Sequence, residues 1–210
     1  MTTFKRSVIA LAAIASFATP ALAGPPLICF PFQTDDGMLV AWGTGPGWNT
    51  PDRSYDIGKL VADTTAVLTA DSPVLTRMEN LRRATIYAMR DPQVAQQLLK
   101  SMMDRALATT TDSRAWFDAG YLIETYKQAA AIREISNPEL RAWAAVDETL
   151  RVDGYNWVKK AMAMTAPDAE MEFAASLMTQ GTISSSHRSK ALAGASKGGV
   201  LARNLAAHDF

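Results

Sequence analysis

The sequence has few of the residues on which disulfide and metal chemistry depend: one cysteine and two histidines in 210 residues. It also has no excess charge, since 21 Lys and Arg residues balance 21 Asp and Glu residues. One cysteine excludes an intramolecular disulfide, and the even charge excludes a strongly basic nucleic-acid-binding protein. The 48% hydrophobic content excludes a chain disordered by its composition.

Long apolar runs are also missing, and the longest lies near the start. Residues 8–17 (VIALAAIASF) are uncharged and apolar but too few to cross a hydrocarbon core of about 30 Å. Lys5 and Arg6 precede this run, and Ala21-Leu22-Ala23 has the small-x-small pattern that signal peptidase recognises. The sequence therefore predicts a signal peptide over residues 1–23, cleaved after Ala23. We expect a periplasmic or secreted protein with no transmembrane segment in the mature chain.

Cleavage would alter the charge, because Lys5 and Arg6 leave and no acidic residue leaves with them. The mature chain then has a formal charge of −2. Residues 173–210 nevertheless carry a charge of +3, from Arg188, Lys190, Lys197 and Arg203 against Asp209. We expect these basic side chains to be solvated or paired within the fold, and an anionic partner is the alternative.

Cys29 has apolar neighbours in the sequence, namely Leu27, Ile28, Phe30 and Phe32. Apolar surroundings raise the pKa of a thiol and make it unreactive. We therefore expect a buried, structural thiol. Mixed-disulfide formation and a disulfide-linked dimer remain as alternatives.

Residues 24–53 are rich in proline and glycine and show no helical periodicity, so they predict an extended arm. Trp42 and Trp48 flank a glycine-rich loop over residues 43–47. A glycine loop binds phosphate when it follows a strand and opens a helix, but Pro46 and Pro51 interrupt this one. We expect the two indoles to dock the arm onto the rest of the protein.

Residues 54–210 have apolar residues at helical spacing and predict one all-α domain. Proline after a capping residue marks helix starts at Ser72, Asp91 and Asn137, with a weaker start at Ala166-Pro167 and one without proline at Asp112 or Ser113. The helix between Trp116 and Ile135 is apolar on most faces, so we expect it to be central. The short loops predict an antiparallel stack of about seven helices. Their expected ranges are 55–69, 73–90, 92–109, 113–135, 138–151 with a continuation or restart at 154–165, 167–179 and 186–206.

Residues 115–122 (AWFDAGYL) resemble the first helix of a tetratricopeptide repeat, although the signature occurs once. This resemblance implies degenerate, tetratricopeptide-like helix stacking. The segments GPPLICFPF, TRMENLRRATIYA, AWFDAGYLIETYKQA and EMEFAASLM resemble uncharacterised exported all-helical bacterial proteins. That second resemblance implies export and a helical fold, and no activity.

The segment Gly194-Ala195-Ser196-Lys197-Gly198 matches G-x-S-x-G, the nucleophile elbow of α/β-hydrolases. The elbow needs a strand before the serine and needs the acid before the histidine, whereas this segment follows a helical pattern and His208 precedes Asp209. We therefore do not expect a serine hydrolase. Small residues recur every four positions here and predict a packing stripe on one helix face: Gly194, Gly198, Ala202 and Ala206.

Neither a metal site nor a cofactor is predicted. His187 and His208 are far apart, and no metal-binding spacing occurs. Carboxylate pairs occur at Asp35/Asp36, Asp147/Glu148 and Glu170/Glu172, and we expect most of them to be solvated. Asp168, Glu170 and Glu172 follow Pro167, where negative charge suits the start of a helix.

Aromatic and methionine residues give the remaining candidate for binding. These residues fill the core or line an adaptable groove for a peptide helix or small ligand. The groove hypothesis names Tyr121, Tyr126, Trp143, Tyr155 and Trp157. The sequence thus predicts an exported, non-enzymatic interaction module with a protein or peptide partner in the cell envelope. The alternatives are a carrier with an apolar pocket between helices and, third, a hydrolase.

Overall fold

The structure is a computed structural model that describes residues 26–35, 37–136 and 151–208, with the backbone alone for 132–136. These residues form eight α-helices and no strand, which confirms the all-α class. A short 3-10 turn over Ile57–Lys59 leads into the first helix. The helices are α1 (Leu60–Val67), α2 (Val74–Ala88), α3 (Pro92–Ala108), α4 (Ser113–Ser136), α5 (Gly154–Ala163), α6 (Ala169–Met178), α7 (Gly181–Gly194) and α8 (Val200–Ala207). The helix predicted over 138–151 and its cap Asn137 lie outside the described residues.

The centre of the fold is α2, in which 14 of 15 residues are buried. It packs against α1, α3, α4 and α6. The sequence predicted a central position for α4, and α4 is indeed enclosed by α2, α3 and α5. The sequence did not reveal α2 as the more completely buried helix, because four polar or charged residues of α2 lie inside the protein: Arg77, Glu79, Asn80 and Arg82.

Helices α4 and α5 come into close contact at two glycines. A Cβ on Gly120 would lie 2.6 Å from the carbonyl oxygen of Gly154, and one on Gly154 would lie 2.4 Å from the carbonyl oxygen of Gly120. Real Cβ atoms do not come this close to backbone oxygen. The absence of both side chains therefore permits this crossing, which brings the first residues of α5 against α4.

The arm docks partly through apolar side chains, and the predicted docking residues Trp42 and Trp48 are among them, half-buried against the core. Leu27, Ile28, Phe32 and Val40 are buried in the same core as the helices. The indole of Trp42 meets the ring of Tyr87 edge-on at 5.5 Å. This edge-to-face arrangement adds to the free energy of burial.

Buried polar groups of α2 also bind the arm. Glu79 accepts a hydrogen bond from the backbone N–H of Phe32 at 3.0 Å. Asn80 accepts from the N–H of Val40 at 2.8 Å and donates to the carbonyl oxygen of Met38 at 2.9 Å. An extended segment has no helical partners for its own backbone groups, so these side chains supply them.

Two predicted caps are confirmed. Asp91 accepts hydrogen bonds from Gln93 and Val94 at the start of α3, and Asp112 accepts from Arg114 and Ala115 at the start of α4. Both are the short acidic side chains that helix N-termini favour.

Two other caps were predicted wrongly. Ser72 does not cap α2, because its hydroxyl donates to the carbonyl oxygen of Val67 and the N-cap residue is Pro73. The start of α6 is shifted from Pro167, because Asp168 is its N-cap and accepts from the N–H groups of Glu170 and Met171.

The single helix predicted over 186–206 was also wrong. Helix α7 begins earlier, at Gly181, and the helical conformation is interrupted between Gly194 and Val200. The C-cap Ala195 is extended, and Gly198 within the connecting segment adopts a left-handed φ of +74° that a right-handed helix does not contain. The predicted stripe is broken with it: a Cβ on Gly194 would lie 2.5 Å from the Cβ of Ala169, whereas one on Gly198 would meet nothing within 4 Å.

Candidate functional site

The aromatic residues predicted to line a groove are separated in the structure. Tyr121 and Tyr126 on α4 are fully buried, and Tyr126 donates to the carbonyl oxygen of Ala95 at 3.1 Å. Trp143 lies outside the described residues. Tyr155 and Trp157 on α5 are half-buried. The first two therefore belong to the core, and only the α5 pair reaches the surface.

Trp157 packs against the indole of Trp116 at 4.7 Å between ring centroids. The ammonium of Lys160 lies 3.3 Å from the centre of the Trp116 ring. A cation over an indole is a stabilising contact, and here it covers the edge of the α4–α5 interface. The pair fastens two helices together.

Tyr155 belongs to a different arrangement, which we call the Tyr155 relay: Tyr155, His187 and Glu172. The hydroxyl of Tyr155 lies 2.6 Å from Nε2 of His187, and Nδ1 of the same ring is hydrogen-bonded to Oε2 of Glu172. The side chains of His187 and Glu172 are 11% and 13% exposed. A hydroxyl, an imidazole and a carboxylate are thus joined in series at the edge of the protein.

Three helices position this relay. Tyr155 lies in the first turn of α5, whose N-cap Asp153 accepts from the N–H of Asn156. Glu172 lies in the first turn of α6, and His187 lies on the inner face of α7. Because α6 packs extensively against α7, the carboxylate and the imidazole face each other.

Charges surround the relay on both sides. Burial first, and then the carboxylates of Glu172 and Asp153, raise the pKa of Tyr155 above its usual value, so the phenol is neutral at pH 7. The ammonium of Lys159 lies 4.8 Å from the centre of the Tyr155 ring. Lys190 lies 3.4 Å from the other oxygen of Glu172.

Little in the sequence pointed to this relay. Glu172 was expected to be solvated and His187 was considered only as a metal ligand, while Tyr155 was assigned to an aromatic groove. His187 is 15 residues from Glu172 and 32 residues from Tyr155 in the sequence. Their contact could not be predicted without knowing how α5, α6 and α7 pack. No local signal in the sequence marked these three residues as a set.

A second feature is an open cavity of about 580 Å³ where six elements meet, which we call the α6 cleft. It is lined by the arm and by the starts of α2, α4, α6 and α8, together with the end of α7. The lining residues are Asp35, Pro73, Val74, Arg114, Asp168, Ala169, Glu170, Gly194, Ser196, Gly199, Val200 and Leu201.

Glu170 has a partly desolvated carboxyl group on the α6 cleft. Its Oε2 accepts from the backbone N–H of Leu75 at 3.1 Å, and in this way it supplies the cap that Ser72 does not give to α2. Burial raises the pKa of Glu170, the nearby Asp168 raises it further, and the N–H groups of α2 oppose both effects. The ionised form is therefore held in an unfavourable environment.

The other charges of the cleft are only partly balanced. Nη1 of Arg114 lies 3.6 Å from Oδ2 of Asp168, which is an ion pair but too long for a hydrogen bond. Asp35 is paired with Arg203, whose Nη2 lies 2.5 Å from Oδ1. The described lining thus contains three carboxylates and one guanidinium group, that of Arg114.

Ser196 lines the α6 cleft, but no histidine of the cleft lining accompanies it. His208 is 1% exposed and stacks on Phe32 at 4.8 Å, with Nδ1 near the carbonyl oxygen of Asn204 and Nε2 near that of Phe30. Ser196 and His208, which a serine hydrolase would bring together, therefore have different surroundings. Ser196 also follows a helix and not a strand.

Most of the basic side chains near the C-terminus contact this chain. Arg188 donates to the carbonyl oxygens of Leu205 and His208, at the end of α8. Arg203 contacts Asp35, and Lys190 contacts Glu172. These contacts agree with the prediction that the basic groups pair within the fold.

A further cavity of about 760 Å³ lies beside the glycine-rich loop and is lined mainly by glycine, polar and charged residues, including Arg53 and Arg90.

Cys29 is half-buried where full burial was expected, and burial raises the pKa of its thiol.

Over the described ranges, no group of three or more His, Cys, Asp or Glu side chains is arranged to hold a metal ion. None of the helices in that part of the chain is long and apolar enough to cross a membrane. Comparison of the sequence with models of known protein families, with curated proteins and with solved structures finds no match.

Proposed function

We propose that the protein is an exported helical interaction module whose α6 cleft binds a partner segment carrying a lysine or arginine side chain. The observation that carries this proposal is the desolvated carboxyl group of Glu170 on an open cavity of about 580 Å³. Burial deprives this carboxylate of water, and a cationic side chain placed there would offset that loss of solvation.

The size and openness of the α6 cleft suit a side chain presented by a partner. Its lining combines charged groups with the apolar side chains of Val74, Val200 and Leu201. An aliphatic stem contacts such apolar groups while its charged end reaches Glu170 and Asp168. Among the described lining residues, Arg114 alone is basic and competes for these carboxylates.

The carrier alternative receives less support from the described cavities. A site for an apolar ligand is enclosed and lined predominantly by hydrophobic side chains. The two cavities considered above are open and are lined largely by charged, polar, proline and glycine residues.

The test uses short blocked peptides whose central residue is lysine, arginine, norleucine or glutamate, titrated against the mature protein by calorimetry. We expect the lysine and arginine peptides to bind and the other two not to bind. Glu170→Gln keeps an oxygen that accepts from Leu75 but removes the charge. A charge-assisted hydrogen bond contributes about 1.5–3 kcal/mol, so this variant should weaken binding by about 10- to 100-fold.

Asp104→Asn is the matched control, because Asp104 is an exposed carboxylate on α3 whose described ion pair is with Lys100. It should leave the peptide affinity unchanged. Binding should also weaken as the pH falls through the raised pKa of Glu170. Equal binding of the norleucine and lysine peptides would contradict the proposal, as would equal losses from Glu170→Gln and Asp104→Asn.

Export is tested separately. We expect the protein purified from the periplasm or medium to begin at Gly24, as measured by intact mass, and Ala21→Asp/Ala23→Asp to block processing. An unprocessed chain recovered from the cytoplasm would contradict export and leave the peptide-binding test intact.

A further inference from the structure

The Tyr155 relay lies outside the α6 cleft, and the proposed interaction does not use it. In the relay, one ring of His187 contacts a hydroxyl on one side and a carboxylate on the other. An ionised carboxylate has no proton to donate, so its bond to Nδ1 requires the proton to sit on Nδ1. Nε2 of neutral His187 then holds a lone pair and accepts the hydrogen of the Tyr155 hydroxyl.

This order is that of an activated nucleophile: a hydroxyl, a base within hydrogen-bond reach, and a third group that orients the base. We propose that Tyr155 is a base-assisted nucleophile that accepts an acyl group from an activated ester. His187 is the base, and Glu172 is a positioning residue that fixes its tautomer.

The step balances without an oxidant or reductant. The phenolic oxygen of Tyr155 attacks the carbonyl carbon of the ester, and the phenolic proton passes to Nε2 of His187. The bond from the carbonyl carbon to the leaving oxygen then breaks, and the imidazolium returns the proton to that oxygen. The products are an O-acyl tyrosine and a free alcohol or phenol, and Glu172 stabilises the imidazolium between the two transfers.

The electrostatics of the relay require the base. Because burial and two carboxylates raise the pKa of the phenol, Tyr155 carries no charge at pH 7 and cannot attack as a preformed phenolate. Proton transfer to His187 during the attack removes this obstacle. Lys159, 4.8 Å from the centre of the ring, attracts the negative charge that develops on the phenol.

The chain contains its own control, Tyr55. Its hydroxyl donates to Oδ2 of Asp63 at 2.6 Å, so it is also half-buried and also hydrogen-bonded, but to a carboxylate with no imidazole. The hydroxyls of Tyr87 and Tyr126 donate to the backbone carbonyl oxygens of Ala41 and Ala95, whereas that of Tyr155 meets an imidazole. The Asp63 carboxylate is a much weaker base than an imidazole, so a comparison of Tyr155 with Tyr55 measures what the imidazole adds.

The experiment treats the mature protein with p-nitrophenyl acetate near pH 7.5, follows nitrophenolate release, and locates acetyl groups by peptide mass spectrometry. General-base assistance contributes about 10²–10⁴-fold, so Tyr155 should be acetylated at least ~100 times faster than Tyr55. Its rate should rise with pH in one step at a lower pH than the rate at Tyr55, and should fall in D2O. Both measurements use the unmodified protein.

Variants give the second arm. Tyr155→Phe should remove the fast acetylation, and His187→Gln should lower it by ~100-fold while the rate at Tyr55 stays unchanged. Glu172→Gln should shift the pH profile of Tyr155 without abolishing the reaction, an effect that a purely structural role would not produce.

Equal acetylation of Tyr155 and Tyr55 in the unmodified protein would overturn the proposal, and so would a folded His187→Gln variant that reacts at the original rate. The first comparison needs no variant, so it decides the proposal even if His187→Gln fails to fold. The α6 cleft residues are unchanged throughout, so this test succeeds or fails independently of peptide binding.

Discussion

Glu79→Gln removes one negative charge from a buried cluster on α2 that binds the arm. The carboxylate is 2% exposed and accepts from Nε and Nη2 of Arg82 at 2.8 and 2.9 Å, from Nε of Arg83 at 2.8 Å, and from the N–H of Phe32. Glutamine has nearly the same shape, so the packing is retained. What changes is the charge opposite Arg82, whose side chain is 1% exposed.

The expected cost follows from this uncompensated charge. Removing one partner of a buried ion pair costs about 3–5 kcal/mol, because the remaining ion is still desolvated. Arg82 keeps its hydrogen bonds to the carbonyl oxygens of Ile28 and Trp48, and glutamine keeps one acceptor, so we expect the lower value of about 3 kcal/mol. At this chain length that corresponds to a fall in Tm of about 6–12 °C.

The assay is urea denaturation of the mature protein, with hydrogen exchange of the arm amides as a second measurement. Asp104→Asn is the control, because Lys100 and Asp104 form an ion pair with side chains 73% and 60% exposed. An exposed pair contributes at most about 1 kcal/mol. We also expect faster exchange at the N–H of Phe32 in Glu79→Gln alone. A stability within about 1 kcal/mol of the unmodified protein would refute the claim that the buried cluster holds the arm.

Two further predictions concern packing and pH. Gly120→Ala should lower the free energy of unfolding by about 1–3 kcal/mol, because the new Cβ would lie 2.6 Å from the carbonyl oxygen of Gly154. This loss should outweigh the better helix propensity of alanine. Denaturation measures it, and an unchanged or higher midpoint would contradict the close crossing of α4 and α5. Burial lowers the pKa of His208, so its contribution to stability is present above about pH 6.5 and is lost as the pH falls below that value. The unmodified protein should therefore lose stability relative to His208→Phe between about pH 7 and 5, with a limiting slope of about 1.4 kcal/mol per pH unit, and parallel pH profiles would show that His208 is not the group responsible.

The all-α fold class was predictable because it depends on local signals. Apolar spacing and the Asp91 and Asp112 caps specify helices within a few residues. The predicted helix over 186–206 failed because alanine-rich spacing continues through residues 195–199, and helical periodicity does not reveal the extended Ala195 and the left-handed Gly198 that separate α7 from α8. Ser72 failed as a cap because Glu170, 95 residues away from Leu75, caps α2 instead.

The candidate sites were less predictable, because each of them joins distant segments. Of the aromatic set, Tyr121 and Tyr126 are core residues, and composition cannot distinguish a core tyrosine from one at a surface. Tyr155 was singled out by sequence, but for its ring and not for its hydroxyl. Its partners became visible only with the packing of α5, α6 and α7.

Residue order alone specifies the helical class, the extended arm and several helix starts, and it predicts export. These features depend on the spacing of neighbouring residues, which remains the same in any tertiary arrangement. The packing of the helices is what makes α2 the buried centre, places Glu79 and Arg82 against the arm, and brings Tyr155 to His187 and Glu172. Such contacts depend on which helix faces pack together. No local sequence pattern identifies two residues far apart in the chain as partners.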